Sequence, residues 1–446
     1  MRATTAEIDS RTGLVARLAE SRSMTDDLLR IVRTDSLYAR PIPARHRIIF
    51  YIGHLEAFDW NLIGGQSLRR GPAQAEFDRL FAFGIDPVGG GLPTDQPADW
   101  PRLAEVHSYV RRVREELDHA LCGASSAAPN HWEYPEEVVL NAAIEHRLMH
   151  AETLAYMLHQ LPHDQKIAPP GYQPLASTNP GLRVAARMLN IPGGTATVGI
   201  PRRHASFGWD NEYEAQPVQV PAFSIGAHKV SNREFLEFVV HGGYDDKRFW
   251  SDADWAWKRE QNLRHPPFWR ERDGQWFYQG MFEEVPLPLD WPVYVSHAEA
   301  CAYARCVGKA LPTEAQFHRA AYGTPEGVER VYPWGDAPPD AGHGNFDFQR
   351  WDPDSVGSHP QGRSAFGLED ALGNGWEWTS SIFSPFPGFE AFPFYRGYSA
   401  DFFDGKHYVM KSGSPRTAAC MLRPSFRNWF QAHYPYVYAS FRCVGN

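Results

Sequence analysis

The hydrophobic pattern of the chain changes near residue 169, and this change constrains the fold more than any other feature of the sequence. Before it, apolar side chains recur every three or four residues, whereas after it Gly, Pro, Trp and Asn separate short strand-like pieces. The first spacing is the period of an amphipathic helix. With 446 residues, the chain is also long for a single domain. The sequence therefore predicts a helical domain at 1–165, a linker at 166–190 and a domain of a different class at 191–446.

Four segments of the first domain carry the helical period, and a loop crowded with Gly and Pro lies at 86–101. Four such helices predict an antiparallel bundle. In the second domain, helices are predicted where a Ser or Thr precedes a helical pattern and can cap its first turn. The predicted helices lie at 8–32, 45–68, 103–121 and 135–161 in the bundle, and at 231–240, 296–307 and 308–321 in the second domain.

Net charge and cysteine content exclude several classes of protein. The formal net charge of −9 disfavours a nucleic-acid or anionic-membrane partner, because both require a basic surface. The chain has no run of about 18 apolar residues, and residues 1–23 lack the apolar stretch of a signal peptide. Five cysteines without a CxxC pair suit a reducing compartment. We expect a cytoplasmic protein in which Cys301 and Cys306 are core residues of a helix.

The sharpest chemical feature lies in the fourth predicted helix, in the segment EHRLMHAETL at 145–154. His146 and His150 are four residues apart, so on a helix their rings lie on one face. Such a pair alone is equally typical of an exposed helix surface. His54 adds a third imidazole, and its neighbours Ile52 and Leu55 indicate burial, where a histidine needs a partner. Two helices of one bundle can thus supply three imidazoles to one metal site.

Three neutral imidazoles leave coordination positions open, and the identity of the metal is undecided at this point. Zinc uses an open position for an activated water. Iron(II) uses open positions for substrate and oxygen. Because the number of protein ligands is the same in both cases, the residues alone favour neither metal.

Seven blocks of the second domain resemble, in the same order, the formylglycine-generating or sulfatase-modifying domain, which has C-type-lectin-like character. The first domain resembles a DinB-type bundle with its HxxxHxE element at 146–152. The two together resemble the ergothioneine-type sulfoxide synthases, which include the related selenoneine synthases, over nearly the whole chain. The implied fold is α+β, a four-helix bundle followed by a lectin-like domain. The blocks are IPGGTATVGI (191–200), 211–244, 291–321, YPWG (332–335), GNGWEWTSS (373–381), RPSFRNWF (423–430) and ASFRCV (439–444).

The resemblance implies a function and assigns residues to it. In this family three bundle histidines bind iron(II), and His54, His146 and His150 match them. The lectin-like domain supplies most of the substrate pocket, and Asn428 and Trp429 match the residues that contact the trimethylammonium betaine of hercynine, a trimethylated histidine. An indole face suits a quaternary ammonium group. The implied reaction uses O2 and iron(II) to join sulfur or selenium to the imidazole C2 of hercynine.

Three positions depart from the branch of the family that uses gamma-glutamylcysteine. That branch has an acidic residue and an Arg where this chain has Phe430 and Tyr434, neither of which forms a salt bridge. It has a Gln that bonds the hercynine imidazole where this chain has Met149, a weak acceptor. These departures indicate another donor, either free cysteine or a selenosugar, and a neutral aromatic site slightly favours the selenosugar. The arginines that can instead serve the carboxylate of cysteine are Arg396, Arg416, Arg423 and Arg427.

The family uses a pocket tyrosine as proton donor, and its identity here is left open. Some members supply it from the bundle loop, but the loop at 86–101 contains no Tyr. The tyrosines of the second domain are candidates, although each is more typical of a packing residue than of an acid. They are Tyr395, Tyr398, Tyr434 and Tyr436.

Three other hypotheses explain parts of the sequence. A formylglycine-generating enzyme needs two nearby Cys for copper, and here Cys420 and Cys443 are 23 residues apart. A DinB thiol transferase with zinc accounts for the histidines but leaves the second domain unexplained. A non-enzymatic lectin-like binding protein leaves the three histidines unexplained. Because Trp376, Glu377 and Trp378 recur in this fold whatever its chemistry, we interpret them as core residues.

Overall fold

The structure of the protein is a computed structural model that describes residues 5–82, 92–122, 132–175, 184–204 and 207–445. The chain divides into two compact units, Met1–Tyr172 and Gln173–Asn446. The division falls inside the predicted linker, whose residues 176–183 lie outside the described part of the chain, as do residues 86–91 of the predicted loop. The domain limits at 165 and 191 stay predictions.

The first unit is helical. Its described α-helices are α1 (Thr5–Arg30), α2 (Ile48–Asp59), α3 (Ala75–Leu80), α4 (Leu103–Cys122) and α5 (Glu136–His159). The four long ones confirm the predicted bundle helices, whereas the six-residue α3 is missed by the sequence analysis. Helix α2 passes directly into a π-helix at Trp60–Ser67, so the predicted segment at 45–68 is helical but changes its winding. Helix α1 packs along α5, and α2 packs against α4.

Helix α5 is almost entirely shielded from solvent. From Val139 to His159 every residue is buried except Met149, which is partly exposed. A helix that is buried on all sides is surrounded by other elements. Its polar side chains must therefore find partners inside the protein, because a buried polar group without one is costly.

The second unit combines short strands with helices. Its described helices are α6 (Asn232–Val240), α7 (Asp252–Glu260), α8 (His297–Cys306) and α9 (Glu314–Tyr322). A Ser or Thr caps each helix and accepts a hydrogen bond from a backbone N–H three residues further on. Three of these helices are predicted from the sequence and α7 is not, although Ser251 and Asp254 have the spacing of such a cap. The described strands are β1 (Met188–Ile191), β2 (Gly194–Val198), β3 (Gln216–Val220), β4 (Phe223–Gly226), β5 (Trp269–Arg272), β6 (Gln275–Gln279), β7 (Glu284–Pro286), β8 (Gly375–Ile382), β9 (His407–Gly413), β10 (Asn428–Gln431), β11 (Ala439–Ser440) and β12 (Val444–Gly445).

The described strands form four small sheets, with the orders β1-β4-β12, β10-β9-β8-β11, β2-β3 and β5-β6-β7. Strand β10 runs antiparallel to β9, which places Trp429 opposite Val409 and Phe430 opposite Tyr408. Strand β11 is parallel to β8. The RNW segment is therefore held by a backbone ladder and not by a free loop.

The GNGWEWTSS motif lies in the core of the second unit. Trp376 and Trp378 of β8 are buried. Glu377, between them, accepts hydrogen bonds from Lys229 at 2.8 Å and from Arg442 at 2.6 and 2.7 Å. All three charged side chains are fully buried, which is tolerated because they are paired. The interpretation of this motif as structural is confirmed.

The interpretation of the two cysteines of α8 as core residues is wrong for Cys306, which is exposed, while Cys301 is partly exposed. Five helical positions correspond to a rotation of about 140°. Two residues with that spacing cannot share one buried face.

Among the described helices, none has the length and apolar composition that crossing a bilayer requires.

Candidate metal centre

Three histidines of the first unit meet in its interior. His54 comes from α2, and His146 and His150 come from α5; one ring nitrogen of each lies within 4.8 Å of the others. All three residues are at least nine-tenths buried. Nε2 of His54 lies 3.2 Å from Nε2 of His150. Among the residues that the structure describes, this is the one group of three or more His, Cys, Asp or Glu side chains arranged to hold a metal ion.

A backbone contact orients the His54 ring. Its Nδ1 lies 2.7 Å from the carbonyl oxygen of Phe81, the residue that follows α3. Since a carbonyl only accepts, Nδ1 carries the hydrogen and Nε2 keeps its lone pair, directed toward His150. Metal-binding histidines commonly have such a partner for the second ring nitrogen.

Aromatic rings line the histidines. His146 stacks on Phe58 with ring centroids 3.4 Å apart and 9° between the planes. His54 stacks on Phe50 at 4.8 Å and 22°. Restricted in this way, the imidazoles have few alternative rotamers, which favours a site of defined geometry.

Burial also decides the protonation state of the three rings. It lowers the pKa of His54 to about 4 and holds the pKa values of His146 and His150 well below the usual value of a histidine. A cation is costly to hold in an apolar interior. All three imidazoles are therefore neutral at pH 7, the form in which histidine binds a metal.

The donor set fits a divalent transition metal. Three neutral nitrogen donors suit iron(II), zinc and their neighbours, and the Nε2 atoms of His54 and His150 already face each other across 3.2 Å. Glu152, the last residue of the HxxxHxE element, is buried but is not part of the group. Met149 is the partly exposed residue between the two histidines of α5.

One tyrosine beside the histidines is not among the residues predicted from the sequence. Tyr51 of α2 is fully buried, and its ring centroid lies 6.0 Å from that of His150. The available signal was its position three residues before His54, since residues three apart on a helix are neighbours. Tyr51 therefore joins the tyrosines that are candidates for a proton donor.

The substrate-contact candidates of the second unit lie together around β10. Trp429 stacks on Phe383 at 4.1 Å and 7° and meets the edge of Tyr398 at 5.4 Å. Oδ1 of Asn428 accepts a hydrogen bond from the backbone N–H of Trp429 at 2.8 Å. Tyr398 is buried and its ring centroid lies 5.5 Å from that of Tyr395. This cluster is a packed aromatic group with one amide beside it.

Two of the three positions that depart from the gamma-glutamylcysteine branch contact each other. The rings of Phe430 and Tyr434 stack with centroids 5.0 Å apart and 15° between the planes. Tyr436 meets Tyr434 edge-on at 5.2 Å. All three are partly exposed, so they present a neutral aromatic surface.

Comparisons with known proteins agree with the division into two units. Residues 17–154 match the DinB superfamily, and residues 173–446 match the sulfatase-modifying factor enzyme 1-like domain. The fold and the histidine cluster thus define a DinB-type bundle followed by a sulfatase-modifying-factor domain, and the predicted α+β fold class is confirmed.

Relatives match along nearly the whole chain. The hercynine oxygenase of Mycolicibacterium smegmatis is 34% identical over 432 residues, which cover 94% of this chain and 95% of that protein. The ergothioneine biosynthesis protein 1 of Neurospora crassa is 28% identical over 503 residues, 92% of this chain and 55% of that one. The formylglycine-generating enzyme of Mycobacterium tuberculosis is 30% identical over 247 residues, only 44% of this chain. The chain belongs to the ergothioneine-type sulfoxide synthase family of enzymes, as the resemblance implies.

Proposed function

We propose that the protein is an O2-dependent, non-heme iron(II) enzyme that joins sulfur or selenium to the imidazole C2 of hercynine. The observation that carries the proposal is the buried group of His54, His146 and His150 in a chain 34% identical to a hercynine oxygenase. Three neutral imidazoles leave coordination positions for substrates. We also propose the reducing cytoplasm as its compartment, since the sequence has five cysteines and no CxxC pair.

The reaction balances with O2 as the oxidant. A thiol or selenol R–XH and the C2–H of hercynine react with O2 to give R–X(=O)–C2 and water: one C–X bond forms, and the two hydrogens leave with one oxygen atom. When bound, iron(II) supplies the redox chemistry that O2 requires. Placing both substrates at one centre converts a bimolecular step into a positioned one.

The residues of the chain have separate roles in this proposal. The three histidines hold the metal, and the Phe81 carbonyl keeps His54 in the required tautomer. Asn428 and Trp429 bind the hercynine betaine, the indole through its face. Met149 occupies the position from which a Gln bonds the hercynine imidazole in the gamma-glutamylcysteine branch. One tyrosine, among Tyr51, Tyr395, Tyr398, Tyr434 and Tyr436, donates a proton.

The donor we favour is a selenosugar, with cysteine as the alternative. The stacked pair of Phe430 and Tyr434 is neutral, and apolar sugar faces pack well on aromatic rings. Three of the four arginines considered for a cysteine carboxylate are engaged within the chain. Arg416 donates to the Phe348 carbonyl at 3.0 Å, Arg423 to Glu212 at 2.8 Å and Arg427 to the Asn211 carbonyl at 3.2 Å. These contacts support a donor without a carboxylate.

Product mass spectrometry tests the proposal. Iron(II)-loaded protein receives hercynine and air, with a selenosugar, cysteine or gamma-glutamylcysteine in separate reactions. We expect a selenium adduct of hercynine, with the selenium isotope pattern; a cysteine adduct alone selects the alternative donor. No adduct from any donor, with iron bound, contradicts the proposal. Zinc in place of iron in the protein as isolated, with no O2 uptake after iron loading, favours a zinc thiol transferase.

A further inference from the structure

A buried network of charges lies beside the three histidines. Arg147 follows His146 on α5 and is fully buried. Its Nη1 donates to Oε1 of Glu56 at 3.0 Å, and its Nη2 donates to Oδ2 of Asp59 at 2.6 Å. Both carboxylates belong to α2 and are almost completely shielded from solvent. The helices that carry the histidines are therefore also joined by one guanidinium group.

The network continues to the other two long helices. Arg114 of α4 donates to Oε1 of Glu56 at 2.7 and 3.0 Å and to both carboxylate oxygens of Asp26 on α1 at 2.7 and 2.8 Å. Arg22 of α1 donates to Asp118 of α4 at 2.6 Å. Four helices thus meet at one layer of alternating charge.

Arg147 also holds the backbone next to a histidine. Its Nη2 donates to the carbonyl oxygen of Leu55 at 3.1 Å, and Leu55 directly follows His54. A side chain one residue past His146 is therefore bonded to the backbone one residue past His54. Any slide or rotation of α2 against α5 that separates the histidines must break these bonds.

Stability alone does not explain such a network. A buried ion pair is often no more stable than apolar side chains of the same volume, because both charges lose their hydration. What distinguishes an ion pair made by arginine is the fixed geometry of its hydrogen bonds, since the planar guanidinium holds its N–H donors in one rigid arrangement. A metal site in turn tolerates only small displacements of its ligand atoms.

We propose that Arg147, through Glu56, Asp59 and the Leu55 carbonyl, is a positioning residue of the metal centre. It sets the register of α2 on α5 that brings Nε2 of His54 to 3.2 Å from Nε2 of His150. The inference rests on the proposed function only for the assignment of the three histidines as metal ligands.

Metal binding by the full-length protein tests this role without reference to turnover. Arg147→Lys keeps the buried charge but loses the fork. A triple variant, Arg147→Met with Glu56→Gln and Asp59→Asn, removes the charges of these three side chains and keeps their approximate shapes. We expect iron(II) to bind about tenfold or more weakly in each, as when other groups that orient metal ligands are lost. The visible absorption of the Co(II)-loaded protein, which reports ligand geometry, should shift, while the far-UV circular dichroism stays helical.

Arg11→Met is the matched control, because Arg11 of α1 also joins helices of this bundle, through Glu136 and the Leu121 carbonyl. Its partner Glu136 is the first residue of α5, ten positions before His146. Arg11→Met should keep the wild-type iron affinity and Co(II) spectrum. If the triple variant does not fold, Arg147→Lys decides. Wild-type iron affinity and an unchanged Co(II) spectrum in Arg147→Lys overturn the inference and leave the proposed function intact. If Arg147→Lys binds metal more weakly but the wild-type protein makes no hercynine product, the inference holds and the proposed function is overturned.

Discussion

Nδ1 of His54 lies 2.7 Å from the carbonyl oxygen of Phe81, and this contact selects the tautomer that a metal ligand needs. With its hydrogen on Nδ1, the ring directs the Nε2 lone pair toward His150. The partner group comes from the residue after α3, the short helix that the sequence analysis misses. An element without chemistry of its own thus orients a ligand.

Gly53 leaves room for Phe81. A Cβ at position 53 would lie 2.5 Å from three atoms of the Phe81 ring, so Gly53→Ala must displace that ring and, with it, the carbonyl that orients His54. We expect the free energy of unfolding to fall by about 1–3 kcal/mol and iron(II) to bind more weakly. Calorimetry and iron titration measure the two effects. Gly13→Ala on α1, where an added Cβ meets nothing within 4 Å, should be stabilising by about 0.5–1 kcal/mol. Unaltered iron affinity in Gly53→Ala contradicts the role of the Phe81 contact.

Removing one imidazole should empty the centre. His150→Ala leaves two ligands, so we expect iron content near background and no product, with the helical circular dichroism retained. Iron is measured colorimetrically and product by mass spectrometry. His119→Ala changes an exposed histidine of α4 and should keep both properties. Full iron occupancy in His150→Ala would show that the ligand assignment is wrong.

Asn428 is expected to contribute to hercynine binding. Asn428→Ala should raise the KM for hercynine about tenfold, because the side-chain amide loses one donated hydrogen bond to the carboxylate of the betaine, with a smaller change in kcat. Steady-state kinetics at saturating donor measure this. Gln431→Ala, an exposed change at the other end of β10, serves as control. An unchanged KM in Asn428→Ala refutes the role.

The stacked pair of Phe430 and Tyr434 should control the choice of donor. Phe430→Asp with Tyr434→Arg restores the acidic and basic residues of the gamma-glutamylcysteine branch. We expect kcat/KM for gamma-glutamylcysteine to rise about tenfold or more through charge-assisted hydrogen bonds, and selenosugar use to fall. Gln431→Ala, an exposed change next to Phe430, should leave the ranking of donors unaltered. A double variant that ranks donors as the wild type does contradicts this role.

Asp210 should make stability depend on pH. Burial raises the pKa of its carboxyl group from 3.8 to about 6, so the folded protein binds this proton more tightly than the unfolded chain. The contribution of the Asp210 carboxyl to the free energy of unfolding is complete below about pH 4 and is lost as the pH rises through 6. The free energy of unfolding therefore falls by about 3 kcal/mol over this range. Asp210→Asn is neutral throughout, and its Tm should increasingly exceed that of the wild type from pH 4 to 7. Asp336→Asn, at an exposed position, is the control. A pH-independent difference in Tm argues against the raised pKa.

The long helix α4 was predictable because its buried residues recur every three or four positions, from Val106 through Tyr109 and Val113 to Leu117. The helix α7 carries mainly polar residues and gives little hydrophobic pattern, and only its Ser251 cap signals it. The winding change from α2 to the π-helix at Trp60–Ser67 leaves no pattern in the apolar residues. Cys306 shows the opposite error, in which a helical pattern is assigned a burial that its position on the helix does not allow.

The sequence by itself determined what depends on neighbours along the chain. The spacing of His146 and His150 places their rings on one face of any helix, and the order of the blocks at 191–446 identifies the family. Only the tertiary structure decided which distant groups complete the centre. His54 and His150 are 96 positions apart, His54 and Phe81 are 27 apart, and Arg147 and Leu55 are 92 apart. Contacts over such separations follow from how helices pack, and the pattern of a single segment does not contain that information.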